Sequence, residues 1–163
     1  MAAALSLIVH YGNMKKDIEM FSVFRGLQIP EAELKKKYFA GNSFNLQGYT
    51  STSLKRECAL GFAFDYDKQA KENTDKCPLL IEIKIKDGLQ MYSLNSSELT
   101  AFADEEEILL QDGIQYHVVS FEYIFEKNDI DELEKLAYVV LEKSTDKYSQ
   151  MNCCLRSLKL IAN

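Results

Sequence analysis

The sequence predicts an α+β domain with short strands and with helices placed early and late. Three observations carry that expectation. In Pro78 to Lys86, Ile81, Ile83 and Ile85 alternate with Glu82, Lys84 and Lys86, the period of a half-buried strand. Glu106 to Leu110 and Ile114 to Phe125 are strand-like runs joined by Gln111-Asp112-Gly113, a hairpin signature. Helical patterns follow Pro30 and recur from Asp129 onward.

Taken in order, Ala2 to Val9 is apolar but short and has no basic segment before it. It reads as a helix turn or strand rather than as a signal peptide. Phe21-Ser22-Val23-Phe24 looks extended, and Pro30 opens a helix that Glu31, Glu33 and Lys35-Lys36-Lys37 continue, with Gly41 as its stop signal. Asn45 to Ser53 is a strand candidate rich in Tyr and Thr. Leu54 to Phe64 reads as a helix with Leu54, Cys58 and Phe62 along one side, and Asp65 to Lys76 reads as a loop. Asp87-Gly88 signals a turn, and Ser93 to Asp104 a loop. Asp129 and Glu132 are spaced almost as a capping box, and Ile130, Leu133, Leu136, Ala137, Val140 and Leu141 follow as a helical stripe. Residues 129–163 are therefore expected to be a helical extension, with Tyr148 to Ile161 as its second part. Residues 1–163 read as a single domain.

Composition narrows the function. The chain has 163 residues with 47% hydrophobic content, enough for a real core. A formal net charge of −6 argues against a nucleic-acid partner, and Lys35-Lys36-Lys37 reads as the polar face of a helix. No run is long enough to span a membrane. Cys58, Cys77, Cys153 and Cys154 make no C-x-x-C pair, so no metal site is expected. Cys58 reads as a small buried hydrophobe. Reduced thiols and a cytoplasmic location are the expectations, with secretion as the alternative if a signal peptide has been removed; a monomer is expected. His10 and His117 are the only histidines, which excludes a metal site built on many of them and disfavours a His-based triad.

The chemistry concentrates in three segments. Asp104-Glu105-Glu106-Glu107 leads into the apolar Ile108-Leu109-Leu110. If this run is extended, Glu105 and Glu107 project the same way and Glu106 the other. Two carboxylates on one face can divide two tasks at a glycosidic bond, one stabilising a sugar cation and the other preparing a nucleophile. Upstream lie Val23-Phe24-Arg25-Gly26-Leu27, read as a strand ending in arginine, and Gly48-Tyr49-Thr50-Ser51-Thr52-Ser53. Each motif is weak alone; their order is specific.

That ordered set, over roughly Phe21 to Phe125, resembles the mono-ADP-ribosyltransferases of the arginine–serine–glutamate class, of the arginine-specific type. The family often has Ser-x-aromatic-Pro-x ahead of Glu-x-Glu. Here Thr100-Ala101-Phe102-Ala103-Asp104 keeps the aromatic and replaces Ser and Pro. The resemblance implies two facing, mainly antiparallel sheets with flanking helices, forming a cleft that grips NAD as substrate. It implies that Glu107, Glu105, Ser51 and Arg25 are the catalytic set. Glu107 would stabilise charge on the ribose, and Glu105 would engage the acceptor guanidinium, which is always protonated near neutral pH. Arg25, Gly26, Ser51, Thr52, Ser53, Phe62, Phe64 and Glu107 would hold NAD. One of Phe62 and Phe64 would stack on nicotinamide, Phe62 being the better match. Phe102 would either touch the acceptor or pack in the core. The implied partner is a protein with an exposed arginine. Two other readings stay open: an NAD glycohydrolase using the same site, and a non-catalytic NAD- or protein-binding module.

Overall fold

The alternation in Pro78–Lys86 builds the centre of a sheet. The computed structural model describes residues 20–64, 75–86, 91–94, 103–128 and 132–144. In chain order these form β1 (Phe21–Pro30), α1 (Glu31–Lys37), β2 (Ser43–Asn45), β3 (Thr50–Ser53), α2 (Arg56–Phe64), β4 (Lys76–Ile85), β5 (Met91–Ser93), a 3-10 turn (Ala103–Glu105), β6 (Glu107–Leu110), β7 (Gln115–Lys127) and β8 (Leu133–Lys143). Ala2 to Val9, His10, most of the loop after Phe64, Asp87-Gly88, Phe102, Asp129, Ile130, Tyr148 to Ile161, Cys153 and Cys154 lie outside the described residues.

The strands form one eight-stranded sheet in the order β2-β7-β8-β4-β1-β3-β6-β5. It has two lobes. β1 pairs with β4 from Phe21↔Ile85 to Pro30↔Lys76, but it meets β3 only at Phe24↔Ser53. That narrow seam joins the lobe β2-β7-β8-β4-β1 to the lobe β3-β6-β5. All pairings are antiparallel except β4 with β8.

The lobes face each other across the main core. Val23, Leu79, Ile81, Ile83, Ala137, Val139 and Leu141 of the large lobe share one buried cluster with Ile108 and Leu110 of the small lobe. On the other side of the large lobe, Ala59, Leu60 and Ala63 of α2 pack on Leu80 and Leu136. β8 is thus buried on both faces, whereas β4 is covered on its second face only at Leu80 and keeps Glu82, Lys84 and Lys86 there as a polar face.

Four expectations are corrected. Residues 133–143 are strand β8, not a helix. A strand buried on both sides loses its alternation, so Leu136 to Leu141 is apolar throughout and also fits a helical period. Gln111-Asp112-Gly113 is a turn, with Gly113 at φ 80°, but not a β-hairpin. β6 pairs with β3 and β5, β7 pairs with β2 and β8, and the turn carries the chain between lobes. Asn45 to Ser53 splits into β2 and β3, because Gly48 takes φ 73° and its N–H donates to Asp112 Oδ1 at 2.9 Å. On α2 the buried face is Ala59, Leu60 and Ala63, which leaves Cys58 half-buried and Phe62 exposed.

Candidate active site

The seam between lobes is also where the candidate chemistry collects. β3 alternates its partners. Thr50 and Thr52 turn inward, and the Thr52 hydroxyl donates to the Ile108 carbonyl at 2.7 Å. Ser51 turns outward, and its hydroxyl donates to Glu107 Oε1 at 2.6 Å. The ladder fixes this relation, since Ser53 stands opposite Glu107 and Ser51 opposite Leu109. Opposite residues in an antiparallel pair share a face, so Ser51 and Glu107 meet diagonally.

Beyond Phe24↔Ser53 the strands β1 and β3 share no ladder pair, and Arg25 spans the opening. Its Nη1 donates to the Ser51 carbonyl at 2.9 Å. The remaining guanidinium N–H groups give it further donor capacity at the cleft. Arg25 sits inside β1, which runs on to Pro30, and not at a strand end as the sequence suggested. Leu27, Gln28, Ile29 and Pro30, which follow Gly26, remain extended because all of them pair with β4.

Gly26 has a specific cause. A Cβ built there would lie 1.6 Å from the Ala59 carbonyl oxygen and 2.7 Å from the Ala63 nitrogen. Only glycine lets α2 cross β1 this closely. That approach brings the exposed ring of Phe62 over the cleft.

Glu105 arrives by a different route from the one expected. It ends the 3-10 turn Ala103–Glu105, and Glu106 follows with φ 49°, in the left-handed region. Strand alternation begins only at Glu107 and cannot relate the two carboxylates. Both nevertheless line the same cleft.

Among the described residues, Phe24, Arg25, Gly26, Ser51, Thr52, Ser53, Ala59, Phe62, Glu105 and Glu107 line a cleft of about 170 Å³. Phe64, the last residue of α2, is not among them and packs against the second core cluster. Phe24 and Ala59 were not singled out from sequence. Phe24 directly precedes the Arg-Gly pair, and Ala59 lies one helical turn before Phe62, but neither residue type marks chemistry. Among the described residues no group of three or more His, Cys, Asp or Glu is arranged to hold a metal ion, and no helix is long and apolar enough to cross a membrane.

A sequence model of the family described as ADP-ribosyltransferase exoenzyme matches residues 11–147. The chain belongs to that family. No curated protein matches the sequence closely enough to count as a relative. Solved structures of similar fold include the Vis toxin, an ADP-ribosyltransferase from Vibrio splendidus. It has 19% identity and TM-score 0.51, over 78% of this chain and 50% of its own. The enzymatic component C2-I of the C2 toxin from Clostridium botulinum has 13% identity and TM-score 0.57, over 88% of this chain and 35% of its own. Plx2a, an ADP-ribosyltransferase toxin from Paenibacillus larvae, has 18% identity and TM-score 0.55, over 86% of this chain and 69% of its own. At these identities the likeness establishes the fold alone. This chain spans about half the length of the Vis chain that it matches. The exoenzyme fold places Arg25, Ser51 and Glu107 at the seam of its two lobes.

Proposed function

We propose that this exoenzyme-family domain transfers ADP-ribose from NAD to an arginine side chain of an acceptor protein, releasing nicotinamide. The observation that carries the reading is the Ser51–Glu107 hydrogen bond, in a cleft that also holds Arg25 and Glu105. Support for the donor and acceptor chemistry comes from relatives of the same fold. Exoenzyme S from Pseudomonas aeruginosa has been solved bound to carba-NAD, and Vis in complex with agmatine, a guanidinium compound.

In this reading the bond between the nicotinamide nitrogen and the ribose carbon breaks, and its electron pair leaves with nicotinamide. Positive charge builds on the ribose ring. Ser51 occupies Oε1 of Glu107, which leaves Oε2 for a ribose hydroxyl and keeps the carboxylate fixed as the charge develops. Arg25 faces the pyrophosphate with the N–H groups that Ser51 does not engage; its planar fork suits phosphate oxygens. The exposed Phe62 ring stacks on nicotinamide. Cavities that take a whole drug-sized ligand are commonly about 300–1,000 Å³, so the described cleft suits one end of the dinucleotide.

The acceptor guanidinium attacks the ribose carbon and loses a proton. Glu105, on the turn beside Glu107, takes that proton. Water can replace the acceptor, giving ADP-ribose and nicotinamide. The test is incubation with labelled NAD, with and without agmatine, measuring free nicotinamide and labelled adduct. Adduct formation supports the transferase. Nicotinamide release without adduct makes the domain a glycohydrolase. No release in either condition overturns the catalytic reading in favour of a binding module.

A further inference from the structure

We propose that Lys55 is a positioning residue for Glu105, acting through a clasp on the turn that carries it; the inference rests on the transferase reading above. The clasp is built from three consecutive residues holding three consecutive carbonyls. The Ser53 hydroxyl donates to the Glu105 carbonyl at 2.5 Å. The Leu54 backbone N–H donates to the Glu106 carbonyl at 3.2 Å. The Lys55 ammonium donates to the Asp104 carbonyl at 2.7 Å and pairs with the Glu106 carboxylate at 3.2 Å. The Lys55 backbone N–H closes the set by donating to Ser53 Oγ at 2.8 Å.

The turn needs such a clasp. Glu106 holds φ 49°, a conformation that a non-glycine residue keeps only where its surroundings fix it. The exposed ion pair is weak support by itself. The bond to a carbonyl from a charged donor is stronger, and Lys55 is the only member of the clasp whose side chain spans both Asp104 and Glu106.

The two site carboxylates thereby have separate supports. Glu107 is held by the β3–β6 ladder and by Ser51. Glu105 lies before the ladder begins and is held by the Ser53–Lys55 segment. Lys55 is not among the residues lining the cleft, so its influence runs through the turn. Loosening the clasp displaces the acceptor-side carboxylate and leaves the ribose-side carboxylate in place.

The experiment compares Lys55→Met, which keeps the apolar stem and removes the ammonium, with Lys55→Arg and Glu106→Gln. Three quantities are read: nicotinamide release without acceptor, KM and kcat for agmatine, and amide hydrogen exchange of the peptide covering residues 103–107. In Lys55→Met, kcat/KM for agmatine should fall about tenfold, the scale of one charged hydrogen bond, while nicotinamide release changes less than about twofold. Exchange in 103–107 should quicken, with β1 and β4 unchanged. Lys55→Arg should restore transfer and protection. Glu106→Gln should lose less than Lys55→Met, since the bond to the Asp104 carbonyl survives. Equal losses of release and transfer, or unchanged transfer, would overturn the positioning role. If wild-type protein turns over no NAD, the transferase reading fails by itself. Exchange in 103–107 still decides the clasp: unchanged protection in Lys55→Met overturns it.

Discussion

At the scale of single residues, Glu107 and Glu105 separate by their partners. Glu107 is bonded to Ser51, and in the proposed reaction it meets the charge that builds on the ribose. Glu107→Gln keeps shape and loses charge, so nicotinamide release should drop by about a hundredfold or more, with or without agmatine, the scale of losing one fixed electrostatic stabiliser. A folded variant with near-native release would remove Glu107 from the chemistry. Glu105→Gln should cut agmatine transfer far more than it cuts hydrolysis, because only transfer needs a proton taken from a guanidinium. Equal losses would mean that the two carboxylates act as one unit. Ser51 and Glu107 were legible in the sequence because polar residues in an ordered motif carry a chemical signature. Phe24 and Ala59 were not, since an apolar wall residue looks the same in a cleft as in a core. Glu105 and Glu107 were correctly brought together for a reason that the chain does not use. The left-handed Glu106 does what strand alternation was expected to do.

At the scale of elements, α2 and β1 are locked together at Gly26. The atoms that a Cβ would strike, Ala59 O and Ala63 N, are helix backbone and cannot swing aside as the end of a side chain can. Gly26→Ala should therefore lift α2 off Leu80 and Leu136, costing about 3 kcal/mol, the upper range of overpacking. Urea denaturation reads this as a lowered midpoint with unchanged slope. A native midpoint would mean that the helix slides at little cost. The same change should weaken NAD binding, because Phe62 and Ala59 move with α2. Element types were readable where burial is one-sided: β4 shows its alternation openly, and α1 its opening proline. They were not readable where burial is two-sided. In β8, Ala137, Val139 and Leu141 face the core between the lobes, while Leu136, Tyr138 and Val140 lie on the side of α2. With no polar face there is no period to read, and only Tyr138, Val139 and Val140, all strand formers, pointed away from a helix.

At the scale of the whole molecule, two lobes close on a common core, and that closure came from pairings far apart in sequence. No local pattern announces that β6 turns its back on β7, or that β1 meets β3 at one residue pair. The consequence is a core containing two deeply buried tyrosines, Tyr38 and Tyr116, at 3% and 1% exposure. Burial disfavours the phenolate and pushes the Tyr38 hydroxyl up to about 12, with Arg25 opposing only in part. The Tyr116 hydroxyl is pushed up by burial as well. Unfolded tyrosine loses its proton near about pH 10. Between that pH and about 12 the unfolded chain binds fewer protons than the folded one, so stability falls as pH rises. The contribution is whole below about pH 10 and is lost through the Tyr38 range. Thermal melting from pH 9 to 12 should show this fall, and tyrosinate absorbance should reach its full value only as the fold is lost. Combined Tyr38→Phe and Tyr116→Phe replacement removes the two most deeply buried of these groups and should lessen the alkaline fall, leaving the share of Tyr123 and Tyr138, whose hydroxyls burial also pushes up. If all tyrosines titrate near about pH 10 in protein that is still folded, Tyr38 and Tyr116 are open to water and the lobes do not close as described.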